Sequence, residues 1–170
     1  APINGLNEAI DIAIFVLLIG GFLGVTTYTG ALDAGIGSVV EKLQGRELVL
    51  IPVLMFIFSL GGTSFGMAEE TIAFAALVTT TMIVAGFDPL VSVATLILGS
   101  GSGVLGSTVN PFLVSTSIGA LNGVGIEVNQ VIVIGTGIAL WLSSLLISIY
   151  FVMKYAKKVQ KDKSATLLSE

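Results

Sequence analysis

Apolar runs of unequal length alternate along the chain with polar, glycine-rich breaks. Asn7–Val25 is long enough to cross a bilayer, whose roughly 30 Å core needs about 20 helical residues. Gly20 and Gly24 inside it have the small-xxx-small spacing of a close helix contact. Thr26–Gly35 reads as a turn, so residues 1–35 form a first span and turn. Ile36, Val39, Val40 and Leu43 then recur at i, i+3, i+4 and i+7, with Ser38, Glu41, Lys42 and Gln44 on the opposite face. Residues 36–47 therefore predict an amphipathic helix in the interface plane.

Leu48–Leu60 and Thr71–Ala85 are apolar but short, about 20 and 22 Å as helix. With the polar stretch Gly61–Glu70 between them, residues 48–85 predict a re-entrant helical hairpin; two short tilted spans are the alternative. Gly86-Phe87-Asp88-Pro89 is a turn and helix-start signal, with Asp88 as N-cap and Pro89 in the first helical position. Residues 86–121 follow as one discontinuous span: Leu90–Leu98, a break at Gly99–Pro111, then Phe112–Leu121. Residues 122–153 hold a loop, Asn122–Asn129, and the cleanest span, Gln130–Met153. Residues 154–170 are a basic tail, expected to be mobile. The fold class is an all-α membrane protein: three spans, one discontinuous, plus a re-entrant hairpin and an interfacial amphipathic helix.

Composition agrees. The 170 residues are 54% hydrophobic and 11% charged, with mean hydropathy +1.02, whereas soluble domains carry roughly 25% charged residues. All seven cations lie at Lys42, Arg46, Lys154, Lys157, Lys158, Lys161 and Lys163. The excess of lysine places the C-terminal tail in the cytoplasm of a bacterial-type inner membrane, and the span count puts the other two cations on the same side. Basic residues confined to a short tail without interleaved aromatics do not suit nucleic acid. Without Cys or His, disulfides and thiolate or imidazole metal sites are excluded. No nucleophile–base pair is visible, so an enzyme is not expected. No basic n-region of a cleavable signal is seen, and Ala1 reads as a processing point or internal start within a longer protein.

The breaks carry the candidate chemistry. Lipid cannot hydrogen-bond unwound backbone, so breaks at membrane depth are tolerated where protein or water satisfies them, and paired breaks point to a solute site. In the second, Gly99, Gly101, Gly103 and Gly106 permit non-helical backbone, and Ser107, Thr108 and Asn110 supply polar groups. A helix starting at Pro111 would aim N–H groups at a carboxylate, and the carbonyls of the preceding half-helix would suit Na⁺. The competing reading is a glycine packing kink. Gly101–Gly106 also matches G-x-G-x-x-G, but that fingerprint requires a βαβ unit, and nucleotide binding is set aside. In the first break Gly61, Gly62 and Gly66 turn the chain, and Thr63 and Ser64 offer hydroxyls. Glu69 and Glu70 suit proton coupling, cation coordination or an amino group; the bland alternative is dipole-favoured carboxylates facing water. Glu8 and Asp11 fit simple interfacial placement. These residues predict a secondary active transporter; a structural or assembly protein whose glycines pack helices is the alternative, and a channel is less expected.

GGTSFGMAEETIAF at Gly61, STVNPF at Ser107 and FVLLIGGFLGVTTYTGALDAGI at Phe15 resemble the YfcC/DcuC-type carriers, the anaerobic C4-dicarboxylate carrier-like family of the ion-transporter superfamily. The resemblance runs from about Ala1 to Asp162. It implies two inverted repeats, each with a hairpin and a discontinuous helix whose tip and break meet at the substrate and ion site. This chain then resembles one repeat, one half of an inverted-repeat transporter. Carried over, the tip is Gly61–Glu70 with Thr63 and Ser64 as ligands, and the break is Gly99–Pro111 with Asn110 in its polar cluster. The implied substrate is a small carboxylate (a C4-dicarboxylate, for instance) or an amino acid. Transport would proceed by alternating access, without a bound cofactor, coupled to Na⁺ or H⁺ or to counter-exchange. The implied partners are the lipid bilayer, a second repeat of the same transporter and a second copy in a homodimer.

Overall fold

The computed structural model describes residues 10, 13–14, 17–18, 20–22, 24–26, 28–43 and 45–167. Among them every regular element is helical. The chain divides into two compact units, Ala1–Glu41 and Lys42–Glu170.

In the first unit the described residues between 10 and 28 are helical, and helix α1 follows at Ala31–Lys42. The expected turn at 26–35 shrinks to Thr29-Gly30, where Gly30 takes φ +68°. One left-handed glycine turns the chain, and Ala31 and Ala34 are strong helix formers, so α1 begins five residues before the amphipathic stretch. Ile36 is buried while Ser38, Glu41 and Lys42 are exposed, the two faces that the spacing predicts. Glu8 and Asp11 lie outside the described residues.

The second unit contains α2 (Glu47–Phe65), a 3₁₀ turn (Glu69–Phe74), α3 (Ala75–Val84), α4 (Pro89–Leu105), a π-helical turn (Pro111–Ser115), α5 (Thr116–Gly123), α6 (Gln130–Lys161) and a terminal 3₁₀ turn (Lys163–Ala165). α4 is central: α2, α3 and α6 all pack on it, and α2 also touches α6. Leu50, Ile51, Leu54, Met55 and Phe58 of α2 are buried with Val78 and Met82 of α3, Val91 and Leu96 of α4, and Leu145 of α6. The hydroxyls buried among them have acceptors. Thr95 donates to the Val91 carbonyl (2.7 Å), Ser100 to Leu96 (3.0 Å), and Ser102 to Leu98 (2.6 Å). Thr79 and Ser92 share a hydrogen bond of 2.7 Å between α3 and α4. Such satisfaction is obligatory where neither water nor lipid can supply a partner.

Two expected boundaries move. α2 does not stop at Leu60; it runs through Gly61–Phe65 and ends at Gly66, whose φ of +82° and N–H to the Gly62 carbonyl form a left-handed cap. α4 does not stop at Leu98; it continues to Leu105. Glycine runs need not break a helix when the helix lies against another backbone and needs the space. The arms of the hairpin region are consequently longer than the apolar pattern suggests. α2 spans about 28 Å, and the 3₁₀ turn plus α3 about 27 Å. Arm length therefore does not separate a re-entrant hairpin from two tilted spans.

The basic segment is also ordered further than expected. α6 continues through the lysines to Lys161. Asp162 then accepts the hydroxyl and the N–H of Ser164; these bonds, with Lys158 nearby, hold its carboxyl below the ordinary carboxylate range. Asp88 ties this end to α4. Its Oδ1 accepts the Val91 N–H (3.0 Å), capping α4 as predicted, while Oδ2 accepts the hydroxyls of Tyr155 and Thr166 (2.7 Å). The Tyr155 oxygen in turn accepts the Leu167 N–H at 3.1 Å. The turn at 86–89 and the lysine-bearing end of α6 thus share one end of the unit. Tyr155→Phe is expected to lower stability by about 1.5–3 kcal/mol, the range for a hydrogen bond to a charged group. Thermal melting of the intact protein checks this; an unshifted transition would show that the joint is not strained by its loss.

Candidate functional site

The C-termini of α2 and α4 meet and complete each other. The last carbonyls of any helix lack intrahelical donors. Here the Thr63 hydroxyl donates to the Gly106 carbonyl at 2.8 Å, and the Thr63 carbonyl accepts both the N–H (3.1 Å) and the hydroxyl (3.2 Å) of Thr108. The two threonine hydroxyls lie 3.2 Å apart. Thr63 is buried, so each of these bonds replaces one that water cannot supply.

Asn110 organises the other side of the break. Its side-chain oxygen accepts the Phe112 N–H at 2.9 Å, capping the half-helix that starts at Pro111 and continues as α5. Its amide nitrogen donates to the Ser107 hydroxyl at 3.0 Å, and that hydroxyl donates to the Val104 carbonyl at 2.6 Å. Asn110 is 1% exposed. The tip of α2 rests on it: a Cβ at Gly66 would lie 2.9 Å from the Asn110 nitrogen. Two helix C-termini and one helix N-terminus therefore converge. Their partial charges, about half a unit negative for each of the first two and half a unit positive for the third, suit a cation and an anion side by side.

Most of the glycines serve a different purpose from the expected backbone permissiveness. Gly99 and Gly103 are helical, and so is Gly62 of α2. A Cβ at Gly62 would stand 2.3 Å from the Ser100 carbonyl oxygen, one at Gly103 2.1 Å from that of Ser59, and one at Gly99 3.0 Å from the Met55 Cα. They let α2 and α4 touch backbone to backbone, as small residues do in membrane helix pairs. Gly62 therefore packs α2 against α4. Gly61 faces Met67, and Gly101 is exposed with nothing near it. Only Gly106 among the second set lies at the true break, Gly106–Asn110, and a Cβ there would meet the Trp141 backbone at 2.2 Å. Among the expected permissive glycines Gly66 alone takes positive φ.

The remaining candidates do not join the junction. The Ser64 hydroxyl is spent on the Leu60 carbonyl at 2.6 Å. Glu70 is exposed, and its carboxylate accepts the Ala68 N–H at 3.2 Å, closing the turn after Gly66. The side chain of Glu69 lies outside the described residues.

Support for the break comes from α6, which the apolar pattern did not mark as part of the site. Gly137 lets α6 approach the Ser107 carbonyl, where a Cβ would stand at 2.5 Å. Trp141 stacks on Phe56 with ring centroids 6.1 Å apart. A glycine inside a strongly helical run was the one available signal. A cavity of about 180 Å³ beside the break is lined by Thr108, Ser115 and Gln130 with Val109, Val114, Ile118 and Ile134. Ser115 and Gln130 were not among the predicted residues. A larger, apolar cavity of about 390 Å³ separates the half-helix from α6 and includes Ser107, Leu113, Ile118 and Leu140 in its wall.

Comparison with known proteins adds identity to this geometry. The family described as C4-dicarboxylate anaerobic carrier, DcuC, matches residues 2–170. A protein of Escherichia coli (strain K12) named "Putative basic amino acid antiporter YfcC" is 36% identical over 167 residues, 95% of this chain and 32% of that protein. An uncharacterized protein of Haemophilus influenzae is 31% identical over 163 residues, again 95% of this chain and 31% of its own length. The chain spans about a third of the length of the curated relatives it matches. No solved structure matches it. The matched family, taken with two long apolar helices at Leu48–Phe65 and Gln130–Lys161, makes this a membrane protein, and the chain belongs to the DcuC family of carriers rather than to any family of enzymes.

Proposed function

We propose that the chain forms one half of the solute-and-ion site of a secondary active transporter for a small carboxylate or amino acid. The carrying observation is the junction in which Thr63 at the end of α2 exchanges hydrogen bonds with Gly106 and Thr108 at the break. The half-helix N-terminus capped by Asn110 suits a carboxylate, and the carbonyl-rich ends of α2 and α4 suit Na⁺. Proton coupling or counter-exchange are the other coupling modes that this arrangement accommodates. A second repeat of the same transporter would complete the site, and the carrier would work by alternating access as a homodimer in a bacterial-type inner membrane, its lysine-rich end cytoplasmic.

α6 acts as a ruler for the hairpin. Tyr155 meets Asp88 at one end of the unit. The break lies at Trp141 and Gly137, about 21–27 Å along the helix from Tyr155. About 10 Å of α6 continues from Gly137 to Gln130, so the tip of α2 stops short of the far end. This depth favours a re-entrant hairpin over two crossings. The helix-packing alternative accounts for Gly62, Gly99 and Gly103, but it leaves the non-helical stretch 106–110 and its polar lining without a purpose.

Thr63→Val is the direct test. It removes the donor to a buried carbonyl, a cost of about 1–3 kcal/mol. If that cost falls on the bound state, uptake drops by roughly fivefold to a hundredfold. Uptake by the intact protein in proteoliposomes is the measurement. Wild-type kinetics for Thr63→Val and for Thr108→Val would remove the junction from the transport site.

A further inference from the structure

One face of α6 carries a feature that the solute site does not use. Tyr150, Phe151, Lys154, Lys157, Lys158 and Lys161 recur at three- and four-residue spacing, which places them in one stripe, and all are exposed. The opposite face, with Val152, Ala156 and Val159, is buried, and Tyr155 is bound to Asp88. The helix is therefore held so that the stripe points away from the rest of its own unit. Among the described residues no carboxylate lies within ion-pair distance of these four ammonium groups, although Lys158 is near enough to Asp162 to help lower its carboxyl. The Lys154 ammonium lies over the Tyr150 ring, 5.9 Å from its centroid.

The position of the stripe identifies its counterpart. The apolar part of α6, from Val131 to Val152, covers about 33 Å, enough to fill a core of roughly 30 Å. Lys154 then emerges at headgroup level, Lys157 and Lys158 about 5 Å further out and Lys161 about 10 Å further. The headgroup layer is roughly 5–8 Å deep in each leaflet. Tyr150 and Phe151, each 60% exposed, sit one turn deeper on the same face, where amphipathic rings favour the interface.

We propose that this stripe is a binding surface for anionic phospholipid headgroups, with the aromatic pair against the upper acyl chains and the lysines on the phosphates. A cluster of at least four cations next to a span is the pattern that anionic lipid attracts, and the effect is roughly fivefold in affinity per lysine. The surface rests on α6 crossing the bilayer and is independent of the solute reading, so uptake is not its readout.

The test is native mass spectrometry of the intact protein in detergent, titrated with phosphatidylglycerol or phosphatidylcholine of matched chains. Wild type is expected to retain phosphatidylglycerol at least tenfold better. A variant with Lys154, Lys157, Lys158 and Lys161 all changed to Gln is expected to lose that preference, and the corresponding Arg variant to keep it. If the fourfold Gln variant does not fold, Lys157→Gln with Lys161→Gln, the two outer turns, should lose at least fivefold. Equal retention of both lipids by wild type, or an undiminished preference in the Gln variants, would overturn the proposal. So would displacement of the lipid by millimolar inorganic phosphate, which would make the stripe a site for free anions.

Discussion

Gly103→Ala is expected to remove the folded protein, while Gly101→Ala, two residues away on the same helix, leaves it intact or slightly more stable. A methyl at 103 would stand 2.1 Å from the Ser59 carbonyl oxygen and 2.8 Å from the Thr63 nitrogen, both backbone atoms of α2. Backbone cannot swing aside as a side chain does, so α2 and α4 must separate along their whole contact. Overpacking ordinarily costs about 1–3 kcal/mol and more where nothing yields; here it also pulls Thr63 away from Gly106. At 101 no atom lies within 4 Å of the added Cβ, and helix propensity favours Ala by about 1 kcal/mol. Detergent melting and size-exclusion profiles of the intact protein carrying each substitution make the comparison. Similar melting temperatures for the two variants would show that α2 and α4 are not in backbone contact.

Asn110→Ala is expected to abolish uptake, and Asn110→Asp separates the reason. The alanine removes an N-cap worth about 1 kcal/mol and the partner of the Ser107 hydroxyl, so it disorders the start of the half-helix. The aspartate keeps an oxygen for the Phe112 N–H, but it loses the donor to the Ser107 hydroxyl and buries a charge, so it keeps the cap and weakens the brace. It also places a negative charge where the helix N-terminus would receive an anion. Asn110→Asp is thus expected to fold with a lowered melting temperature and to lose at least tenfold in uptake of an anionic solute, measured in proteoliposomes, with less loss for a neutral one. Wild-type uptake by Asn110→Asp would mean that the half-helix start does not face the solute. Asn110 therefore has a larger structural role than its side-chain chemistry suggests, because one amide both caps a helix and braces the break.

Part of this site was legible before any folding. Thr63, Thr108 and Asn110 stand out as polar residues in apolar surroundings, and in a membrane protein such residues must converge on one another. Pro111 after Asn110 marks a helix start by its missing N–H. Ser64 carries the same chemistry as Thr63 and looked equivalent, but a neighbour on a helix points roughly 100° away, and its hydroxyl returns to Leu60. Glu70 looked like a coupling group; it is exposed and closes a turn. Nothing local marked Gln130 or Ser115, because their place beside Thr108 depends on how α6 and the half-helix lie against the break.

The amino-acid sequence by itself determined the helical class, the membrane setting and the family, because those follow from the length of apolar runs and from long shared motifs. It also determined the helix starts at Asp88, Pro111 and Asn129, where capping is a local interaction. Only the tertiary structure decided where the breaks lie. A glycine is compatible both with unwound backbone and with a helix pressed against its neighbour, and the choice depends on whether another backbone occupies the space that a Cβ would fill. At Gly62, Gly99 and Gly103 one does, and the helix continues; at Gly66 the backbone turns left-handed and the helix ends.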